Sequence, residues 1–430
     1  MIRTSKHKTS YSNIHKLENY GAFLKEMRRV AKFYVDYLWN THYEWKDKKD
    51  ILRTMDIAKE KLEVPPYFDY NSIPIETNLS GRAKSSLITQ CCGIVKACTE
   101  KQRRRLYLLE EKKSNNEVIS EKLLENIEKF KPQKPNTENI NIEVSSKCSD
   151  FEKIESDFFE GFLRLKCLGD DFEMIKIPIK FHKQSNKWKG KAEMLNSFLL
   201  CNDKIEIRWK LEVPLKKEGI EVGADQGKDD VLYLSDNQVT PKTNKHGKSL
   251  DSIMDKLTRR KYGSKNFKQS QEERKNFINF CINRLNFSHI KKVNLEKIIN
   301  INFGRRMSRK MKRWVSTLIR DKAMRLLEEL GVQVKEQSSA YRSQRCSHCG
   351  IVLKKNRKGK EYFCHNCGFM IDADYNASIN HEVELPDVPI WLSILHLNRT
   401  KGFFWKPEGF FGVDGEELRV PHSQEKEVIC

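Results

Sequence analysis

The amino-acid sequence predicts an α+β multidomain protein, mainly because the hydrophobic periodicity changes along the chain. Apolar residues recur at helical spacing between residues 19 and 113, alternate with polar residues between 140 and 216, and follow a strand–helix–strand order after 217. The first pattern is typical of helices, the second of half-buried strands and the third of an α/β core. Two closely spaced cysteine pairs interrupt that core near residue 350.

Length, charge and cysteine content restrict the class of protein. The chain has 430 residues, enough for about three domains, and 80 Lys and Arg against 59 Asp and Glu give it a formal net charge of +21. Such a surplus favours a polyanionic partner, of which nucleic acid is the commonest. The sequence has no apolar run of the ~18 residues that span a bilayer, no signal-like stretch in its basic opening segment, and too few cysteines for a disulfide scaffold. We therefore expect neither a secreted nor an integral membrane protein, although charge alone does not exclude a basic protein at a membrane surface.

The first part of the chain is predicted to be helical. Apolar residues from Phe23 to Tyr37 recur at spacings of 4, 3, 4 and 3, which is one face of an α-helix, and we expect the aromatic ones to pack in a core. A second helix is predicted over 82–112. Arg103 and Arg104 near its end are candidate nucleic-acid contacts, with a solvated charged face as the alternative.

A small β-module is predicted next. Residues 114–139 are polar and end in a proline-containing stretch, which indicates a boundary. Two segments within 140–216 then alternate apolar and charged residues, and Pro178 places the first of them at an edge or a bulge. The module is expected to be largely antiparallel and barrel-like, with the opening segment Ile2–Thr9 as a further strand.

From about residue 217 the pattern becomes that of an α/β core. In chain order it predicts a hairpin in IEVGADQGKDDVLYLSD, a basic helical stretch over 251–286, a strand in HIKKVNLEKI, an amphipathic helix over 311–330 and a strand in GVQVKEQ.

Four cysteines are the most specific local signal. Cys346 and Cys349 form one Cys-x-x-Cys pair, Cys364 and Cys367 form a second, and a glycine suited to a tight turn follows each. Two such pairs can close a tetrahedral thiolate site around a structural Zn²⁺. Two disulfides, or a histidine within a pair in place of one thiolate, are the alternatives.

Three carboxylates on separate elements are the second signal. Asp225 and Glu296 each end a predicted strand, and Asp374 lies just after the cysteines where a helix is predicted to begin. Phosphodiester hydrolysis through two divalent ions needs such a carboxylate clamp, and Mg²⁺ or Mn²⁺ prefers oxygen ligands. The spacing alone does not distinguish this site from three ordinary solvated acids.

The order of these motifs resembles the TnpB nucleases that transposons encode and their CRISPR relatives, the miniature type V effectors of subtype V-F. Specific motifs carry the resemblance over 217 to about 381, most strongly where YFCHNCGFMIDADYNAS continues directly into Asp374. The resemblance implies a RuvC domain of RNase H-like fold whose acids map to Asp225, Glu296 and Asp374. Asp372 is the alternative third acid, but the family pattern places that acid two residues before an asparagine.

The resemblance also implies a division of the chain, although before residue 217 it depends on architecture only. We expect the first strand of a β-barrel wedge module over 1–18, a helical recognition domain and linker over 19–139, the remaining wedge module over 140–216, the first part of the nuclease core over 217–343, a target-nucleic-acid-binding zinc ribbon over 344–370, and the last part of the core with a C-terminal tail over 371–430.

Two features depart from the family pattern. The strand before Glu296 reads KKVNL, which is more polar than the apolar run usual there. The aromatic tail 382–430 has no counterpart, so we expect it to pack on the core or to join a second subunit, and a homodimer is among the expected assemblies.

Two basic clusters are further candidate nucleic-acid contacts. One lies in the loop between the cysteine pairs, and the other follows the Glu296 strand with six bases in nine residues and no acid. The candidates are Arg305, Arg306, Arg309, Lys354, Lys355, Arg357 and Lys358.

The function expected from the sequence is RNA-guided cleavage of DNA by a compact type V CRISPR effector. Its partners would be a guide RNA and target double-stranded DNA but no membrane, and its metals Mg²⁺ or Mn²⁺ at the acids and structural Zn²⁺ at the cysteines. Such an enzyme is expected in the prokaryotic cytosol, associated with the nucleoid. The alternatives are a TnpB-type transposon-encoded nuclease and a nuclease-dead RNA-guided repressor, although a dead enzyme would be expected to lack one of the acids.

Overall fold

The computed structural model describes residues 1–42, 75–115, 117–227, 230–298 and 316–419. The described residues form two compact units, one from Met1 to Glu212 and one from Val213 onward. Within these ranges no helix is both long and apolar enough to cross a membrane. Helices and sheets occur in both units, as the predicted α+β class requires. The basic cluster with Arg305, Arg306 and Arg309 lies outside the described residues.

Three helices form the α part of the first unit. Helix α1 (Ile14–His42) packs on α2 (Gly81–Ser114), and its predicted apolar face is buried from Phe23 to Tyr34, whereas Tyr37 is only partly buried. The Ser80 hydroxyl accepts a hydrogen bond from Ala83 N and caps α2. Helix α3 (Glu121–Lys129) lies within the segment predicted as a boundary, where an acid in its first turn and a base in its last turn favour a helix.

The β part of the first unit consists of two antiparallel sheets. The strands are β1 (Ile2–Lys8), β2 (Ile142–Val144), β3 (Ser149–Lys153), β4 (Gly161–Leu165), β5 (Ile175–Ile179), β6 (Glu193–Leu200) and β7 (Lys204–Lys210), with helix α4 (Lys183–Trp188) before β6. Their orders are β1-β7-β6-β2 and β3-β4-β5. The opening segment therefore joins the module through β7, and Pro178 lies on the edge strand β5, as predicted. Closure of the module into a barrel stays a prediction.

The second unit is built on a mixed sheet of order β11-β10-β8-β9. Its elements are β8 (Ile220–Asp225), β9 (Tyr233–Leu234), α5 (Leu250–Arg259), α6 (Lys265–Ile282), β10 (Ile290–Lys297), α7 (Ser316–Glu329) and β11 (Gln333–Ser338). Strand β10 runs parallel to both β8 and β11. Because parallel strands end at the same edge and Leu295 pairs with Ala224, Asp225 and Glu296 come side by side.

The polar residues of β10 have partners at the sheet surface. The Lys292 ammonium forms ion pairs with Glu221 at 2.9 Å and Glu384 at 2.8 Å. The buried Asn294 amide donates a hydrogen bond to the carbonyl of Glu382 at 2.9 Å. The strand accommodates Lys292 through these two carboxylates and the Asn294 NH2 group through the end of the helix, although Asn294 Oδ1 has no hydrogen-bond partner within the described ranges.

The cysteine-rich segment and the tail pack together. After β11 come β12 (Ile351–Val352), a 3₁₀ turn (Lys354–Asn356), β13 (Arg357–Lys358), β14 (Glu361–Phe363), β15 (Met370–Asp372), α8 (Ala373–Glu382), α9 (Ile390–Ile394), a second 3₁₀ turn (Leu397–Arg399), β16 (Phe403–Lys406) and β17 (Gly409–Phe411). The tail strand β16 pairs with β12, and buried Trp405 donates its backbone N–H to Gly350. The described part of the tail is thus packed on the cysteine-rich segment of its own chain.

A glycine allows helix α8 to lie directly on strand β8. A Cβ at Gly223 would come within 2.0 Å of the Ser378 carbonyl oxygen and 2.3 Å of the Glu382 nitrogen, both backbone atoms of α8 or its end. No side chain fits in that space. This close approach brings Asp374, at the start of α8, towards Asp225, at the end of β8.

We predict that Gly223→Ala destabilises the second unit by about 3 kcal/mol, because the added methyl must separate two backbones. Thermal unfolding should show a decrease of roughly 10 °C in the transition of that unit. The matched control is Gly93→Ala in α2, where a Cβ meets no atom within 4 Å. That variant should be as stable as the wild type or slightly more stable, since alanine favours a helix. Equal transitions for the Gly223→Ala protein and the wild type would contradict the described contact.

Candidate metal centres

The three predicted acids are all buried in the second unit. Asp225 ends β8, Glu296 is the penultimate residue of β10, and Asp374 lies in the first turn of α8; they are 7%, 8% and 4% exposed. The alternative of ordinary solvated acids is therefore wrong for this set. Asp372, the alternative third acid, is exposed and accepts hydrogen bonds from the Asp374 and Tyr375 N–H groups as the N-cap of α8.

Burial makes Asp225 and Glu296 difficult to ionise together. Removal from water, with a further contribution from the charge of Asp374, raises the pKa of Asp225 to about 7. Burial and then the charge of Asp225 raise the pKa of Glu296 well above its usual range. Like charges in a low-dielectric site cost free energy unless a cation compensates them. Positive charge near these acids would therefore stabilise their ionised forms.

Two cationic side chains from the loop between the cysteine pairs supply part of this positive charge. The Arg357 guanidinium lies 2.7 Å from one carboxylate oxygen of Asp374, and the Lys360 ammonium contacts the other. Lys360 also pairs with buried Asp230 at 2.9 Å. Although desolvation opposes its charge, the hydrogen bonds that Lys360 donates to Asp374 and Asp230 raise its pKa.

A buried histidine joins the two strand-end acids. The ligand atoms of Asp225, Glu296 and His381 all lie within 4.8 Å of one another, whereas Asp374 is outside this group. His381 Nε2 is 3.7 Å from Asp225 Oδ1, and the side chain is 1% exposed. Burial, with a smaller effect of the Arg342 charge, lowers the pKa of His381 well below its usual value. The ring is therefore neutral at pH 7 and offers a nitrogen lone pair.

Sequence reasoning missed His381 and Asp230, and it placed Lys360 only among the basic residues of the loop between the cysteine pairs. His381 follows Asp374 by seven residues, so the two lie on the same side of α8, two turns apart. That spacing was a usable signal for His381. No local pattern indicated that Lys360 and Asp230 lie near Asp374, because this proximity depends on contacts between segments that are distant in sequence.

The donor set fits a hard divalent ion. Its carboxylate oxygens suit Mg²⁺ or Mn²⁺, and its imidazole nitrogen is a further donor in the same buried group. Within the described ranges, Gln226 Oε1, Asp230 Oδ1 and His381 Nδ1 are buried without a hydrogen-bond partner. Gln226 otherwise supports Glu296, since its backbone N–H donates to Glu296 Oε2 at 3.0 Å. A bound ion or its water ligands would satisfy such unpartnered polar atoms beside the buried acids.

The four cysteines form a second cluster. Their ligand atoms lie within 4.8 Å of one another, with Sγ–Sγ distances of 3.8 Å for Cys346–Cys367 and 3.6 Å for Cys349–Cys364. Sulfurs ~2.3 Å from a tetrahedral Zn²⁺ are about 3.8 Å apart, whereas a disulfide requires ~2.05 Å. All four cysteines are unbridged, so the disulfide alternative does not describe this geometry.

Each cysteine pair has the same backbone turn. The glycines that follow, Gly350 and Gly368, have φ of +83° and +73° and donate their N–H groups to the first cysteine of their pair at 2.9 Å. Burial opposes ionisation of Cys367, but hydrogen bonds, first from the Phe369 backbone and then from neighbouring side chains, outweigh it and lower its pKa to about 6. One thiolate is thus available to a metal at neutral pH.

The predicted nucleic-acid contacts differ in their surroundings. Lys354, Lys355 and Lys358 are exposed, whereas Arg357 turns towards Asp374. Arg103 and Arg104 both pair with Glu100 on their own helix, at 2.8 and 3.0 Å. Contact of any of these residues with nucleic acid stays a prediction.

Comparisons with known proteins bear on both centres. Residues 319–381, which contain the four cysteines, Asp374 and His381, match the sequence model of the family described as Cas12f1-like, TNB domain. Over 98 residues the chain is 35% identical to the CRISPR-associated endodeoxyribonuclease Cas12f1 of Sulfoacidibacillus thermotolerans. The aligned part covers 22% of this chain and 22% of that relative.

Two solved structures align with most of the chain. CasPhi-2 (Cas12j) bound to crRNA gives a TM-score of 0.50 at 9% identity and covers 90% of this chain and 99% of its own. The Cas12f1–sgRNA–target DNA complex gives 0.43 at 14% identity and covers 89% and 99%. At such identities only the fold is comparable, and that comparison depends on CasPhi-2. The matched TNB region confirms the resemblance to the miniature type V effectors over residues 319–381, and the CasPhi-2 comparison supports a shared fold over most of the chain.

Proposed function

We propose that this protein is an RNA-guided DNA endonuclease of the compact type V CRISPR kind. The observation that carries the proposal is the convergence of three buried acids at one edge of the sheet. Burying like charges together costs free energy, so clusters of buried acids are found mainly at functional sites. Metal-dependent phosphodiester hydrolysis is a function that requires such a cluster. The names of the relatives support DNA as the substrate and a CRISPR RNA as the guide.

In this proposal Asp225, Glu296 and Asp374 would hold the divalent ions. When bound, such ions supply an activated water and stabilise the leaving oxygen of the cleaved strand. The surrounding fold excludes bulk water from the three carboxylates, which strengthens every charge interaction within the site. The hydrogen bond from the Gln226 N–H fixes the orientation of the Glu296 carboxylate.

Arg357 and Lys360 would act on the scissile phosphate. Their side chains are 29% and 42% exposed, so both can be reached by a nucleic-acid strand at the mouth of the site. A guanidinium and an ammonium held beside Asp374 would orient a phosphate and stabilise the charge that develops during cleavage.

Structural zinc would position this loop. Arg357 and Lys360 lie between the two cysteine pairs, so a closed thiolate site fixes both ends of the segment that carries them. Ser347 in the first pair donates its N–H to the Asn376 side chain, and Asn376 donates to the Arg345 carbonyl, which joins the cluster to α8. The exposed lysines of the same loop would contact target phosphates.

The proposed zinc site predicts a metal content of one Zn²⁺ per chain. Cys349→Ser or Cys364→Ser should release that zinc and destabilise residues 344–381, because structural zinc binding is coupled to folding. Cys98→Ser, at an exposed cysteine of the first unit, is the control and should retain the metal. Metal analysis of each purified protein makes the measurement. Wild-type protein that contains no zinc would rule out the thiolate site.

The proposed active site predicts the behaviour of acid variants in guided cleavage. Asp225→Ala or Asp374→Ala should abolish strand cleavage and leave guide and target binding nearly intact, because the ions act on the transition state while base pairing supplies affinity. The assay uses the RNA that copurifies with the protein as the guide. Cleavage should require Mg²⁺ or Mn²⁺ and stop with EDTA while zinc remains bound.

The control for this assay is Glu218→Ala, which removes an exposed carboxylate of the same unit and should cleave like the wild type. Full cleavage by the Asp225→Ala protein would contradict the site assignment. Guided binding by the wild type without cleavage, with Mg²⁺ present, would instead favour the repressor alternative.

A further inference from the structure

We propose that His381 is a direct ligand of a divalent ion held by Asp225 and Glu296, and that the site consequently prefers Mn²⁺ to Mg²⁺. This inference rests on the proposed nuclease function and adds a nitrogen ligand to its carboxylates. It concerns a residue of α8 that lies two turns from Asp374, on the part of the helix that packs against β8.

The separation between His381 and Asp225 is that of two ligands of one ion. At 3.7 Å, Nε2 and Oδ1 are too far apart for a direct hydrogen bond. Two donor atoms that each lie ~2.1 Å from a metal are about 3 Å apart at a right angle and at most about 4.2 Å apart. The observed distance falls within that range, and Glu296 completes a group whose ligand atoms span no more than 4.8 Å.

The position of the ring is fixed by the backbone. Gly223 permits α8 to approach β8 so closely that His381, on the last turn of the helix, is 1% exposed and cannot turn towards solvent. Its Nδ1 has no hydrogen-bond partner within the described ranges. The ring nitrogen that faces the acids is Nε2, so an ion held by Asp225 and Glu296 would give this buried imidazole the polar partner that it otherwise lacks.

The chemistry of the ligand set determines which metal it favours. Mg²⁺ binds oxygen ligands and accepts nitrogen poorly, whereas Mn²⁺ lies on the transition-metal series for which imidazole is a good ligand. Replacing one oxygen ligand by His381 nitrogen therefore shifts selectivity towards Mn²⁺. A histidine that only positioned Asp225 would leave selectivity unchanged, because it would make no bond to the ion.

The test is pulsed electron paramagnetic resonance of Mn²⁺ added to the full-length protein freed of RNA, since nucleobase nitrogens would also couple to the ion. We expect electron spin-echo modulation from a directly bound ¹⁴N nucleus. Protein grown with ¹⁵N-histidine should show the ¹⁵N pattern instead. This isotope comparison uses the wild-type sequence, so it does not depend on whether a variant folds.

Variants assign the nitrogen to one residue. His381→Asn should lose the modulation and bind Mn²⁺ at least ~10-fold more weakly, with a smaller change for Mg²⁺. His246→Asn, which removes an exposed imidazole from a loop, should behave like the wild type. Nitrogen coupling that persists in the His381→Asn protein would overturn the assignment.

Two further outcomes separate this inference from the proposed function. Mn²⁺ that binds in an Asp225-dependent way without nitrogen coupling would overturn the role of His381 and leave the nuclease site standing. No Mn²⁺ binding that depends on Asp225 would overturn both.

Discussion

The second unit depends on one electrostatic constraint, the burial of like-charged carboxylates where two parallel strands end together. Asp225 and Glu296 are adjacent because β8 and β10 are paired in parallel, and Asp374 approaches them because α8 packs on β8. None of these acids can leave the site without disturbing the sheet or the helix that holds it. The resulting rise in the pKa of Asp225 and Glu296 means that their ionised forms destabilise the fold, and a bound cation would offset that cost.

The cysteine cluster also affects the charge balance at the buried acids, although it contains none of them. The loop between its two pairs supplies Arg357 and Lys360, which form ion pairs with Asp374, and the Asn376 side chain of α8 accepts a hydrogen bond from the Ser347 N–H in the first pair. The tail adds a further connection, because the Trp405 carbonyl accepts a hydrogen bond from buried Arg345 at 2.8 Å. Folding of the cysteine cluster and charge compensation at the acids are therefore coupled.

Local patterns predicted most of the elements, and distant contacts account for what they missed. Alternating residues predicted the strands that end in Asp225 and Glu296, and short spacings predicted the cysteine cluster, because both signals lie within a few residues. The role of Lys360 could not be predicted, since it depends on Asp230, 130 residues away. The pairing of β16 with β12 could not be predicted either, because the two strands are distant in sequence. Burial of the three acids was equally invisible, because an acid that ends a strand is solvated in most proteins.

The measurement that tests this account most directly is the melting temperature of metal-free, RNA-free protein at pH 8, for the wild type and Asp225→Asn. A carboxyl group whose folded pKa is raised from 3.8 to about 7 stabilises the fold at low pH, and that stability is lost as the pH rises through 7. At pH 8 the full penalty is present, so the uncharged Asn variant should melt about 5 °C higher than the wild type. Added Mg²⁺ should then raise the melting temperature of the wild type only. A wild type that melts no lower than the variant, with equal responses to Mg²⁺, would contradict the claim that buried charge at this sheet edge exists to hold a cation.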